Sequence, residues 1–255
     1  MEVNLTQQPR VRTGDSAILA VERAGRRSAS IGDQVFRTLR SAIVTMRLRP
    51  GEALSEQDTA KRLNVSRQPV REAFIKLSED GLLRVLPQRG TFVMKISAEA
   101  VTNARFVREA VECAIAREAA QRISSDGLAT LKALIAEQRK AAKADDAEAF
   151  FVLDEEFHRG LASASGCAYA WKVIEQAKAQ MDRVRFLSLP EATPMRRLVA
   201  QHKTILDGVA AGDSAAAANA MQGHLREILS SLPRLATKYP AMFDAEAKST
   251  ERMAT

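Results

Sequence analysis

Three histidines occur in this chain of 255 residues, His158, His202 and His224, each in a different amphipathic stretch of the C-terminal half. Asp154 precedes His158 by four residues, so on a helix the carboxylate and the imidazole share one face. His202 lies four residues after Leu198 and three before Ile205, and His224 lies four before Ile228, which puts both beside apolar stripes. A lone histidine in such a place is more often a hydrogen-bonded core residue than a ligand. Three of them with a paired Asp, and no histidine elsewhere, point to a metal centre, because helical bundles assemble such sites from inward residues on facing helices. The N3O donor set of Asp154, His158, His202 and His224 suits Zn²⁺, Ni²⁺, Mn²⁺ or Fe²⁺ and leaves coordination positions for water or a ligand carboxylate.

The elements that must position these residues read as helices throughout. Ser97 caps a helix, and amphipathic segments over residues 98–122, 126–143, 147–164, 168–188, 193–211 and 214–232 are separated by short polar breaks such as Ser124-Ser125-Asp126-Gly127 and Gly212-Asp213. Connections this short imply antiparallel neighbours, hence a bundle of about six helices over residues 98–235. Residues 236–255, rich in Ala, Lys, Ser and Thr, read as a flexible tail.

The N-terminal part has another pattern. A helix from about Ile31 to Arg47 carries Val35, Leu39, Ile43 and Met46 on one face and stops at Arg49-Pro50-Gly51. Ser55 with Asp58 forms a capping box for a second helix, Asn64-Val65 makes a turn, and Ser66 caps a third helix with Val70, Ala73, Phe74 and Leu77 on its inner face. Pro69 sits in the first turn, where its missing N–H is harmless, and Gly81 closes the helix. Leu83–Leu86 and Thr91–Met94 then read as two strands around a basic tip, Pro87-Gln88-Arg89-Gly90. Two short helices, a tight turn and a hairpin are the layout of a winged helix-turn-helix over residues 29–97. Arg67, Gln68 and Arg71 fall on its outer face, where guanidinium forks suit phosphates and guanine edges and the amide suits adenine. The hairpin tip is placed to enter a minor groove.

Charge supports that reading. The formal net charge is +7, and residues 1–97 hold 17 Lys and Arg against 10 Asp and Glu, whereas residues 98–255 hold 21 of each. An excess confined to the winged-helix part is the electrostatic footprint of nucleic-acid binding. Arg23-Ala24-Gly25-Arg26-Arg27 makes residues 1–28 a flexible basic arm. No apolar run approaches the roughly 20 residues needed to span a bilayer, so no membrane partner is expected and the protein is expected in the cytoplasm, associated with the nucleoid. Cys113 and Cys167, the only cysteines, read as buried thiols rather than a disulfide.

The run SRQPVREAFIKLSEDGLL followed by LPQRGTFV resembles the winged-helix domain of GntR-type bacterial transcriptional regulators, and Asp154-x-x-x-His158 with His202 and His224 resembles the FCD effector domain of the FadR subgroup. The resemblance covers residues 31–235. It implies a mainly α protein: a homodimer that binds a palindromic operator in double-stranded DNA and whose affinity responds to a small organic-acid effector, often at a bound metal. By that match Arg67 and Arg71 contact DNA and Arg89 and Gly90 form the wing tip; Ser66, Gln68 and Gln57 are assigned to the same DNA-binding face. Gln57 stands where the family commonly has Arg, so one contact is expected to be weakened or its preference changed. The four matched ligands imply the metal-binding branch over the acyl-CoA-binding branch that lacks them. Arg108 matches a recurrent arginine that could pair with an effector carboxylate or, at i+4, with Glu112. Of Arg183 and Arg185 one is expected to face the pocket, and Arg185 is assigned there. Cys167 replaces an Asn that the family often has after the metal helix.

The function expected is a metabolic regulator, a repressor that is not an enzyme. Two alternatives stand beside it. The helical domain could be a metalloenzyme, although Glu155 and Glu156 are offset from the ligand face, or the metal could be structural and DNA binding constitutive.

Overall fold

The computed structural model of the protein describes residues 30–190 and 193–244. The basic arm expected over residues 1–28 and the last residues, 245–255, lie outside the described residues.

Ser30 accepts a hydrogen bond from the Asp33 amide at 3.1 Å and so starts α1 (Ile31–Val44), which ends three residues before the expected Arg47 because Met46 turns to φ +61°. A two-residue strand, β1 (Ala53–Leu54), follows; it escapes sequence reading because two residues show no period. Ser55 caps α2 (Glu56–Leu63) through the Asp58 amide at 3.3 Å. The return bond of the expected capping box is not made among the described residues. Asn64 adopts the left-handed conformation at φ 53°, the kind of position Asn tolerates, and α3 (Arg67–Glu79) begins after Ser66, whose hydroxyl makes no capping bond. Strands β2 (Leu83–Leu86) and β3 (Gly90–Val93) pair antiparallel with Leu83 opposite Val93, and β1 adds to β3, giving the order β1-β3-β2. Val35, Leu39 and Ile43 of α1 close over Val70, Phe74 and Leu77 of α3 in one apolar core.

Seven helices build the second part: α4 (Ala98–Arg122), α5 (Ser125–Ala144), α6 (Ala147–Ala164), α7 (Ala168–Ala177), α8 (Ala179–Ser188), α9 (Met195–Ala210) and α10 (Ser214–Lys238). Ser97, Ser124, Asp146 and Asp213 each accept a backbone bond at a helix start. The expected six helices become seven: the stretch 168–188 is interrupted at Lys178 (φ −91°, ψ −2°), whose ammonium is buried against Glu155 and Asp182. The tail expected from residue 236 is packed as far as Asp244. Helix α10 runs on to Lys238, and Phe243, only 2% exposed, sits beside Ile96, Val101, Met181 and Ile228. An apolar side chain in an otherwise polar tail had a core to enter. Cys113 is buried as expected, but Cys167 is exposed, because it stands at the start of α7 outside the apolar stripe.

The main core, with Phe150, Phe157, Leu161, Ile205, Met221 and Leu225, holds α6, α9 and α10 together. Helices α9 and α10 come closest at Gly208. A Cβ there would lie 2.7 Å from the Ala217 backbone nitrogen, and backbone cannot rotate aside. Gly208→Ala is therefore expected to cost about 1–3 kcal/mol by overpacking, seen as a lower thermal unfolding midpoint. An unchanged midpoint would contradict the tight crossing.

Candidate metal centre and nucleic-acid interface

Helix α6 delivers Asp154 and His158 on one face, α9 delivers His202 and α10 delivers His224, and all four side chains are buried. One ligand atom from each lies within 4.8 Å of the others. The His224 Nε2 is 3.2 Å from His158 Nε2 and 3.4 Å from His202 Nε2, while Asp154 Oδ1 lies 3.4 Å from His202 Nε2. Three ring nitrogens thus converge beside one carboxylate.

The outer ring nitrogens decide the protonation. His202 Nδ1 is 2.8 Å from Gln138 Oε1, and His224 Nδ1 is 3.0 Å from Gln201 Oε1. Each amide is oriented by its own donation, Gln138 to the Leu153 carbonyl at 3.0 Å and Gln201 to Glu227 at 3.2 Å. His158 Nδ1 sits 2.5 Å from Glu112 Oε2, an ion-pair contact rather than well-angled hydrogen bonding. With their pKa values held low, the His202 and His224 rings are neutral and direct the Nδ1 proton to the amide oxygens of Gln138 and Gln201, so each turns an Nε2 lone pair toward the cluster that His158 Nε2 also enters. Lone pairs at such separations repel unless a cation lies between them. Nitrogens bound to one cation at about 2.1 Å stand roughly 3 to 3.4 Å apart, so the residues present fit a divalent metal, with Glu112, Gln138 and Gln201 orienting the rings.

Burial, and after it the neighbouring charges of His158 and Arg185, holds His202 well below the ordinary histidine value; burial and the same neighbours with His202 do so for His224. Burial raises the Glu112 carboxyl, but Arg108 and His158 more than offset this and hold it well below the usual carboxylate range.

A cavity of about 40 Å³ adjoins the cluster, lined by Asp154 and His224 on one side and by Arg108, Arg185, Phe150 and Leu225 among others. Arg108, 1% exposed, bonds Glu112 through Nε at 2.5 Å, while its Nη2 is buried without a hydrogen-bond partner. Of the two roles weighed for Arg108, the pairing with Glu112 is made; Nη1 reaches Met181 Sδ at 4.0 Å, and the residue lines the cavity. Arg185 lines the cavity as assigned and bonds Asp154 directly, with Glu155 at 2.8 Å and Asp182 at 3.1 Å. Arg183 points elsewhere, to Gln180. The offset that was expected to turn Glu155 and Glu156 away holds for Glu156, which pairs with Arg159, whereas Glu155 reaches Lys178 and Arg185 beside the ligands. Gln138 and Gln201 carried no signal in the sequence, since an amide in a polar helix position is unremarked; Glu112 was visible only as a partner of Arg108.

On the other part of the protein, Arg67 and Arg71 are 64% and 60% exposed at the start of α3, and each lies 3.3 Å from the Glu56 carboxylate. Gln68 donates to Glu72 at 3.1 Å. Ser66 and Gln57 are exposed at the starts of α3 and α2, and Arg89 and Gly90 stand apart on the exposed β2–β3 turn, where Gln88 (φ +60°) and Gly90 (φ +104°) make the tight reversal.

A winged helix-turn-helix presenting exposed arginines, joined to a helical domain with a buried Asp and His cluster, defines a DNA-binding transcriptional regulator. The chain belongs to the GntR family of bacterial regulatory proteins: residues 31–93 match the model for "Bacterial regulatory proteins, gntR family" and residues 104–227 that for the FCD domain. It is 41% identical over 216 residues to the HTH-type transcriptional repressor RspR of Escherichia coli (strain K12), covering 85% of this chain and 95% of that one. The crystal structure of a GntR transcriptional regulator from Rhodococcus sp. RHA1 superposes with a TM-score of 0.66 at 28% identity, over 79% of this chain and 98% of that one. E. coli McbR/YncC shares the fold, with a TM-score of 0.72 at 21% identity over 83% of this chain and all of that one. No described helix is long and apolar enough to cross a membrane.

In metal-free protein the depressed values of His202 and His224 set a pH dependence. The folded rings stay neutral, while in the unfolded chain they protonate near pH 6.5, so their share of stability is present above that value and lost as the pH falls from about 7 to 5. The thermal midpoint of chelator-treated protein is expected to drop over that range, and to drop less in the His202→Gln/His224→Gln double variant. An equal drop in both would contradict the assignment.

Proposed function

We propose that this regulator is a repressor of metabolic genes that binds a palindromic operator as a homodimer and whose affinity is set by a small carboxylate effector at a divalent metal in the helical domain. The observation that carries the metal and effector reading is the convergence of three Nε2 atoms and a carboxylate beside a cavity edged by two arginines. Repression is supported by the name of the relative that is 41% identical to it over 216 residues, and a place in the cytoplasm, at the nucleoid, goes with a DNA-binding regulator of this family.

Asp154, His158, His202 and His224 hold the cation, Zn²⁺, Ni²⁺, Mn²⁺ or Fe²⁺ by donor type. When bound, it supplies positive charge and coordination positions for a ligand oxygen. Arg108 offers its free Nη2 edge to the effector carboxylate, and Arg185 provides a second guanidinium at the same cavity. The acids flanking the site are committed elsewhere, Glu112 to Arg108, Glu155 to Lys178 and Arg185, and Glu227 to Arg197. At the DNA face Arg67, Gln68 and Arg71 enter the major groove, Ser66 and Gln57 flank them, and Arg89 and Gly90 follow the backbone or the minor groove. Arg67 and Arg71 must exchange Glu56 for phosphate or base edges as they bind.

Elemental analysis of purified protein is expected to find about one divalent ion per chain, or uptake of one on adding Zn²⁺ or Mn²⁺, and His224→Ala to lose it. Protein that takes up no ion returns the histidines to the core. On DNA carrying the operator, Arg67→Ala and Arg71→Ala are each expected to weaken binding by roughly 1–3 kcal/mol per lost bidentate contact, and unchanged affinity in both would remove α3 from the interface.

A further inference from the structure

Helix α8 has two ends with different neighbours. Its first turn is attached to the DNA-reading part by three separate contacts: Ala179 is buried in the core shared by α1 and α3, the Gln180 amide donates to the Gly81 carbonyl at the end of α3 at 2.6 Å, and Asp182 accepts from Arg40 of α1 at 2.9 Å. One turn further along, Arg185 lies against the cavity and bonds the ligand Asp154.

Asp182 joins the two ends. It is fully buried, and its carboxylate is shared by three cations: Arg40 at 2.9 Å and Lys178 at 2.8 Å on Oδ2, and Arg185 at 3.1 Å on Oδ1. Arg185 in turn divides its guanidinium among Asp182, Glu155 and Asp154. A continuous chain of ion pairs therefore runs from a candidate metal ligand to a helix of the DNA-binding domain. Buried charges in such a chain depend on one another, because in a medium of low dielectric a change in one pairing alters what its neighbours must neutralise.

We propose that Arg40 and Asp182 are positioning residues that carry the state of the pocket to the DNA-reading unit, through Arg185. The proposal rests on the metal centre put forward above. When Asp154 commits its charge to a cation, Arg185 leans harder on Asp182 and Glu155, and the hold of Asp182 on Arg40 changes with it. An effector carboxylate that drew Arg185 into the cavity would shift the balance the other way. Helix α1 passes the change on, since Leu39 and Ile43 pack against α3 and Asp33 pairs with Lys76 of α3 at 2.8 Å. Coupling of this kind needs an element whose equilibrium both sites bias, and Asp182, with three claimants for two oxygens, is such an element.

Arg40 is the variant of choice. Its side chain is 22% exposed, and its loss leaves Asp182 still paired with Lys178 and Arg185. Backbone hydrogen–deuterium exchange of the full chain, with and without Zn²⁺ alone, reads both ends at once. In the native protein Zn²⁺ is expected to slow exchange in α6, α9 and α10 and to change it in α1. In Arg40→Met the response of α6, α9 and α10 is expected to remain and that of α1 to be lost. A purely structural role for Arg40 would alter the resting exchange of α1 without removing its response to the metal. If α1 is silent in the native protein while α6, α9 and α10 respond, or responds equally in Arg40→Met, the relay is overturned and the metal centre stands. If nothing responds to Zn²⁺, the metal centre falls and takes the relay with it.

Discussion

The buried carboxylate of Asp154 is the constraint around which the helical domain is arranged. On one side it faces the Nε2 atoms of His202 and His158, and on the other it is bound by Arg185. An ionised carboxylate this deep needs compensation, and the surrounding pairs extend the same requirement outward. Arg185 needs Glu155 and Asp182, Asp182 needs Lys178 and Arg40, and Glu112 needs Arg108 and a histidine. These pairs run from the pocket, past Lys178 between α7 and α8, to Arg40 in the other domain.

Helix geometry makes that chain possible. A four-residue offset puts Asp154 under His158, Arg108 under Glu112, and Lys178 beside Asp182. The close crossing of α9 and α10 at Gly208 lets His202 and His224 meet. At the other end of the molecule the same rule exposes Arg67 and Arg71 together on α3, where Glu56 pairs with both. The two ends share no residue, and α8 is the element that touches both.

Much of this was legible in the chain. The histidines stood out because there are only three and each marks a separate apolar stripe; caps, turn and hairpin in order marked the winged helix. What stayed hidden has physical causes. Lys178 interrupts a stretch with continuous helical periodicity, and its buried pairing with Glu155 of another helix is visible only in the fold. Gln138 and Gln201 matter through an amide oxygen whose direction only the fold decides. Arg183 and Arg185 lie two residues apart and so on different faces, and choosing between them required knowing where α8 packs. Phe243 sits in a polar stretch whose one large apolar residue finds a core only in three dimensions. The pairing of Arg108 with Glu112 was readable at i+4, but not that the same carboxylate would orient His158.

The central claim is that the three Nε2 atoms and Asp154 surround one cation. Anomalous diffraction from crystals of the full chain grown with Zn²⁺ or Mn²⁺, recorded at the metal edge, tests it most directly. The expected result is a single strong peak per chain between His158, His202 and His224, within bonding distance of an Asp154 oxygen. A peak located elsewhere, or an empty cluster in crystals whose histidines keep the same positions, would contradict it.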